Sequence, residues 1–224
     1  MSIDFDSFTL AASTADLGEE PAAREHADCV EFRMDLADEP LDALADYDGD
    51  LPLLVTNRAE WEGGEATDEG RTEALETAVA HDAVGAVDIE LAAIESGESG
   101  TLVDAAQRHD AAVVVSTHDF EATPSEGELR SLLMRAAGAG DVAKLAVTAD
   151  TRDDTLALLS ATHELTQRGQ RVATMAMGEA GSHTRAIAPV YGSKIGYAPV
   201  DPAKATAPGQ YDLETLRTLV DRLR

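Results

Sequence analysis

Apolar residues in this chain gather in short runs, each followed by a longer stretch in which they recur at helical spacing. The runs cover Phe8–Ser13, Cys29–Asp35, Pro52–Arg58, Ala83–Glu90, Ala111–Thr117, Val142–Thr148, Arg171–Met177 and Ser193–Tyr197. Continuous apolar runs of this length read as buried β-strands. The stretches between them read as helices. Gly70–Ala80 places its apolar residues on one face with charges opposite. Thr151–Arg168 opens with acids in its first turn, where they complement the helix dipole. Ser125-Glu-Gly-Glu128 spells a capping box, and Asp212–Leu223 reads as the last helix.

Strands that alternate with helices favour a parallel α/β sheet. Eight such units predict a (β/α)8 barrel, in one domain spanning residues 1–224. An open doubly wound sheet is the alternative architecture with the same alternation. Pro199–Gln210, with three prolines and a glycine, is the expected mobile element, a lid over 199–210.

Charge changes the picture of partners. Acidic residues number 43 against 17 basic ones, a formal charge of -26. A field of that sign repels nucleic acid and anionic membranes. The acids are spread along the chain, so they do not form an acidic tail. Only three lysines are present, Lys144, Lys194 and Lys204. A surface rich in Asp and Glu and poor in Lys suggests a salty cytoplasm, where screening suppresses self-repulsion. Cys29 is alone, which excludes an internal disulfide. The N-terminus lacks a basic region followed by an apolar stretch, and no segment reaches the ~18 apolar residues that span a membrane. A soluble, cytoplasmic protein is expected. The histidines and the cysteine show no metal-ligand spacing, and no Gly-rich phosphate loop is present. No metal or cofactor is therefore expected.

The candidate chemistry starts at Lys144, inside the apolar run Asp141-Val-Ala-Lys-Leu-Ala-Val-Thr148. A buried ammonium is costly unless an anion pairs with it, and burial drives an amine toward its neutral, nucleophilic form. A neutral amine in a dry pocket is what Schiff-base chemistry on a carbonyl requires. The preceding strand delivers His118 at its end, an imidazole for a neighbouring proton. In a barrel, reacting groups come from strand C-terminal ends. Glu31, Arg33 and Asp35 alternate along the second strand and are expected to share a face toward the lumen. An internal ion-pair layer is the structural alternative for them. Arg58 ends the third strand, and Gly63-Gly64 suits a tight turn that fixes Glu62 at the mouth, where it could orient His118. Asp88 and Glu90 are expected to act as supports or ion-pair partners. Met175 and Met177 read as core packing. Gly178 through Arg185 offers an anion cradle, or a plain strand-to-helix turn, with Arg185 a bidentate partner for a carboxylate. Thr206 and Gln210 could form a polar lid.

Together, Glu31-Phe-Arg-Met-Asp35, Arg58 with Glu62-Gly-Gly64, Ser116-Thr-His-Asp-Phe120, Lys144-Leu-Ala-Val147, Met175-Ala-Met-Gly178 through Arg185, and Ala207-Pro-Gly-Gln210 resemble type I 3-dehydroquinate dehydratase. The match runs along nearly the whole chain. The resemblance implies a (β/α)8 barrel, commonly a homodimer, that uses neither cofactor nor metal. It implies dehydration of 3-dehydroquinate to 3-dehydroshikimate in the shikimate pathway. By resemblance, Lys144 forms an imine with the C3 ketone. His118 moves the C2 proton and helps expel the C1 hydroxyl, and Glu62 orients His118. Arg185 binds the substrate carboxylate. Glu31, Arg33 and Arg58 surround the ring hydroxyls, Thr206 and Gln210 close the site, and Ser13 is a first-strand contact. Thr206 stands where the family usually has serine. A class I aldolase, which shares barrel and lysine, and a non-catalytic acidic barrel are the alternative readings.

Overall fold

The computed structural model describes residues 1–201, 203 and 209–224. Eight strands form one parallel sheet: β1 (Thr9–Thr14), β2 (Cys29–Arg33), β3 (Leu53–Thr56), β4 (Val84–Glu90), β5 (Ala112–Asp119), β6 (Val142–Thr148), β7 (Val172–Met177) and β8 (Ile195–Pro199). Their order is β7-β6-β5-β4-β3-β2-β1-β8, so each strand pairs with its neighbours in the chain and β8 returns to β1. A parallel bridge between Val172 and Ser193 brings β7 to β8, and the Lys194 N–H donates to the Val172 carbonyl at 2.7 Å. The sheet is a nearly closed barrel, and the open-sheet alternative falls.

The helices are α1 (Glu20–Ala23), α2 (Pro40–Ala45), α3 (Arg71–Ala78), α4 (Leu91–Ser96), α5 (Gly100–Arg108), α6 (Glu126–Ala137), α7 (Arg152–Gln167), α8 (Gly178–Gly181), α9 (Thr184–Ile187) and α10 (Leu213–Leu223). The capping box predicted at Ser125–Glu128 is present, and two further caps join it. Ser125 and Glu128 form a capping box on α6, as Thr151 and Asp154 do on α7, and the Asp212 side chain caps α10. Each satisfies N–H groups that the first helical turn leaves without partners. No helix among the described residues is long and apolar enough to cross a membrane.

Side chains alternate across every strand, and the alternation separates two interiors. Outward residues such as Val87, Ile89, Val113, Val115, Leu145 and Val147 meet the helices in one apolar layer. Inward residues fill the lumen with small groups at its base, among them Ala11, Cys29, Ala86 and Ala173. Phe5 joins this lumen cluster, because Asp6 is gripped by Arg171 at 2.5 Å and its carbonyl by Lys194. The next inward positions are polar: Glu31, Asp88, Ser116 and Lys144 are all buried. The base is packed apolar and the charges stand one layer higher, toward the strand C-terminal ends.

One expectation fails. β2 stops at Arg33, and the chain turns into a 3-10 segment, Met34–Leu36. Asp35 therefore leaves the strand face and folds back on Arg33, accepting from Nε at 2.8 Å and Nη2 at 2.6 Å. Strand alternation holds only while the extended backbone lasts.

The helix–sheet layer should be sensitive to cavities. Leu133, fully buried on α6, should cost about 2–5 kcal/mol when replaced by Ala. Leu156, 63% exposed on α7, should cost less than about 0.5 kcal/mol under the same change. Urea unfolding at fixed KCl, followed by circular dichroism, measures both.

Candidate active site

Four neighbouring strands assemble a chain of alternating charge in the lumen. Lys144 Nζ on β6 lies 2.8 Å from Asp88 Oδ2 on β4. Asp88 Oδ1 accepts from Arg58 Nη2 at 2.6 Å and from the Ser116 hydroxyl of β5 at 2.6 Å. Arg58 Nη1 continues to Glu90 Oε1 at 2.9 Å, and Glu90 Oε2 accepts from Arg71 Nη1 of α3 at 2.7 Å. Every member is at most 5% exposed. Burial alone would raise the Asp88 carboxyl, but Arg58 and Lys144 outweigh it and hold it well below the usual carboxylate range. Of the two fates open to a buried strand lysine, this one has the anionic partner.

Glu31, the first charge of β2, sits 3.8 Å from Lys144 Nζ. It accepts from Ser13 at 2.5 Å and from Thr56 at 3.2 Å, so each of its oxygens already holds one hydrogen bond. The Tyr197 ring of β8 packs against Lys144, with Nζ 4.3 Å from the ring centroid. That is cation–π range.

His118 lies within β5, which continues to Asp119, and its Nδ1 is 2.8 Å from Glu62 Oε1. Two glycines make that contact. A Cβ on Gly64 would fall 2.0 Å from the Arg58 carbonyl oxygen, so only glycine lets the turn close on the strand end. Gly63 takes φ +80° beneath the Phe120 ring, which in turn stacks on His118 with centroids 6.0 Å apart. Burial pushes the Glu62 carboxyl up to about 8, against the pull of Arg58. Burial, Arg58 and Lys144 hold the His118 ring well below the usual histidine range. Both shifts favour uncharged forms. At neutral pH the pair shares one proton between Glu62 and Nδ1, and the other ring nitrogen keeps its hydrogen.

Arg185 on α9 is only 4% exposed, and its Nε has no hydrogen-bond partner. No carboxylate of the described residues pairs with it. Burial brings its guanidinium down to about 10, which leaves it a cation at neutral pH. A buried cation without a carboxylate partner among the described residues has the capacity to receive an anion.

One cavity at the strand C-terminal ends collects these groups. Ser13, Glu31, Arg33, Arg58, Glu62, His118, Lys144, Arg185 and Gln210 line it, with Met175 and Met177 as its apolar wall. Thr206 lies outside the described residues, as does much of the expected lid 199–210, whose first residue, Pro199, ends β8. No group of three metal-ligating side chains occurs among the described residues. Sequence reasoning missed Tyr197, Thr56 and the outer link Arg71. Tyr197 carried a weak signal, an aromatic on the inward face of the eighth run. Arg71 carried none, because an arginine opening an amphipathic helix reads as solvated surface.

Arg58 neutralises two buried carboxylates. Arg58→Met should therefore destabilise the fold by about 3–5 kcal/mol. Urea titration at constant KCl tests this, and a loss below about 1 kcal/mol would show that the carboxylates find other partners.

Comparison with known proteins agrees with this geometry. The family model of type I 3-dehydroquinase matches residues 9–223. The 3-dehydroquinate dehydratase of Haloarcula marismortui is 64% identical, covering 99% of each chain. That of Halobacterium salinarum is 52% identical over 99% of this chain and 100% of its own. Among solved structures, the 3-dehydroquinate dehydratase of Geobacillus kaustophilus superposes with TM-score 0.85 at 28% identity, covering 97% of this chain and 91% of that one. The type I enzyme of Clostridium difficile, solved with covalently modified comenic acid, gives 0.87 at 26% identity, covering 97% and 92%. With its barrel, its lumen lysine and these relatives, the chain belongs to the type I 3-dehydroquinase family.

Proposed function

We propose that this chain dehydrates 3-dehydroquinate to 3-dehydroshikimate, in the shikimate pathway, through an imine on Lys144. One observation supports it most: a single cavity holds a lumen amine, a histidine–carboxylate pair and an unpaired buried arginine. These are the three things a keto, polyhydroxy carboxylate needs to be held and deprotonated.

Lys144 Nζ gives up one proton and adds to the C3 ketone through the freed lone pair; that proton and one of the remaining nitrogen hydrogens leave with the carbonyl oxygen as water, giving a protonated imine. His118 removes a proton from C2, and the C–H electron pair becomes the C2–C3 double bond while the imine pair settles on nitrogen. The enamine then returns its electrons and expels the C1 hydroxyl. That hydroxyl departs as water with the proton His118 had taken. Hydrolysis of the conjugated imine releases product and restores the amine. The imine supplies the electron sink, so a weak base suffices for a proton beside a carbonyl. Arg185 takes the carboxylate as a two-point salt bridge. Glu31, Arg33 and Arg58 meet the ring hydroxyls, with Ser13, Gln210 and Thr206 as further contacts, while Glu62 orients the base. An aldolase on this scaffold would grip a phosphate by backbone amides; a buried unpaired guanidinium suits a carboxylate better. By the same resemblance we place the enzyme in the cytoplasm as a homodimer without cofactor.

Borohydride trapping with 3-dehydroquinate in multimolar KCl should leave a stable adduct on the peptide containing Lys144. Lys144→Ala should give neither adduct nor turnover, and appreciable activity in that variant would falsify the mechanism.

The shared proton sets the pH dependence. As a base, His118 needs its outer nitrogen bare, with Nδ1–H donating to a Glu62 carboxylate. That state forms only when the pair gives up its proton. Because Glu62 is raised to about 8, kcat/KM should rise with pH and level off above about 8. In Glu62→Gln the ring titrates by itself, below the usual histidine range, so the limb should move to lower pH as the maximum rate drops. A limb at the same pH in both enzymes would remove Glu62 from the titration.

A further inference from the structure

We propose that Asp88 is a positioning residue for the imine chemistry: it aims Lys144 Nζ before reaction and stays the counter-ion of the protonated imine afterwards. The inference rests on the reading that Lys144 forms the imine, and it identifies what steers that nitrogen.

The two Asp88 oxygens have different duties. Oδ1 is pinned by Arg58 and Ser116, both at 2.6 Å. Oδ2 accepts, among the described residues, only from Lys144, at 2.8 Å. Arg58 is itself held by Glu90 at 2.9 Å, so the carboxylate plane is fixed from behind. Ser116 is the register partner of both Glu90 and Lys144, which places its hydroxyl between β4 and β6. On the other side, the Tyr197 ring limits where Nζ can go.

Imine formation sharpens the need for this arrangement. An ammonium has three N–H donors, whereas a protonated imine has one. Glu31 stands 3.8 Å away and is engaged with Ser13 and Thr56, so Asp88 is the acceptor placed to take that hydrogen. An N–H held on Oδ2 fixes the plane of the C=N bond. That plane decides whether the C2–H bond stands perpendicular to it, the orientation in which its electron pair can flow into the imine. Asp88 thus acts on proton removal through the nitrogen, without touching the reacting carbon. Its charge also stabilises the protonated imine, the form that draws electrons. The charged and titratable groups that share the cavity with this pair are Glu31, Arg33, Arg58, Glu62, His118, Arg185 and Tyr197, with Glu90 behind Arg58.

The test compares wild type, Asp88→Asn and Ser116→Ala in multimolar KCl. It measures kcat and KM for 3-dehydroquinate from about pH 6 to 10, with borohydride trapping alongside. Asp88→Asn should lower kcat by about a hundredfold with KM changed less than about threefold, the signature of an interaction used in the transition state. The alkaline limb of its kcat profile should move to lower pH by about one unit or more, because the imine nitrogen loses its proton more easily without an anion beside it. A uniformly lower kcat with the limb unmoved would mean that Asp88 is only structural, and overturns the proposal. Ser116→Ala keeps the charge and loosens its aim. It should lower kcat about three- to tenfold with the limb in place. If Asp88→Asn fails to fold, full activity in Ser116→Ala overturns the proposal. Absence of an adduct in folded wild type would instead overturn the imine reading itself, and this inference with it.

Discussion

An ammonium group in the dry centre of a barrel has to be matched by a fixed anion, and the upper lumen is organised around that requirement. Asp88 matches Lys144, but a buried carboxylate with one cation would be poorly satisfied on its second oxygen. Arg58 and Ser116 take it. Arg58 then needs more negative charge, which Glu90 supplies, and Glu90 needs Arg71. Breaking such a chain anywhere strands a charge in low dielectric. The links come from β4, β5 and β6, from just beyond β3 and from the start of α3, so the chain also ties these elements together at the level of the site.

Against that saturated chain, two other stations of the cavity are left deliberately incomplete. Arg185 is buried, and its Nε has no hydrogen-bond partner among the described residues, a cost that an incoming anion would offset. The Glu62–His118 pair is kept uncharged by burial and by the cations around it. A satisfied amine, a shared proton and an unsatisfied guanidinium stand in one cavity and differ only in what surrounds them. Tyr197, packed on Lys144, and the two methionines are the apolar groups that line the same cavity.

The exterior follows other rules. A formal charge of -26 is spread over the surface and leaves the lumen with its own local balance. Salt screens exposed charges within about 10 Å at ordinary ionic strength and more closely in brine. The lumen pairs are shielded from that screening by burial. Surface acidity can therefore adapt to salt while the site keeps its electrostatics, consistent with the high identity to proteins of Haloarcula and Halobacterium.

The eight strands were legible because each is buried on both faces and reads as an apolar run, and the helices because their caps and periodicity are local signals. Lys144 and His118 were legible for the opposite reason: a charge or an imidazole in an apolar run contradicts its neighbours, and that contradiction survives in one dimension. Asp35 was misplaced, because where a strand ends depends on its partner strand and not on its own alternation. Arg71 was invisible as part of the site, since nothing in its local sequence marks it, and Tyr197 carried only the weak signal of an inward aromatic in the eighth run. Which carboxylate serves which cation was decided only by the register of neighbouring strands. Sequence alone determined the alternation of elements and the residue types that a lumen could hold. Barrel closure decided that Asp88 faces Lys144 at 2.8 Å while Glu31 stays at 3.8 Å, because such pairings join residues 56 and more positions apart and exist only when the strands that carry them lie side by side.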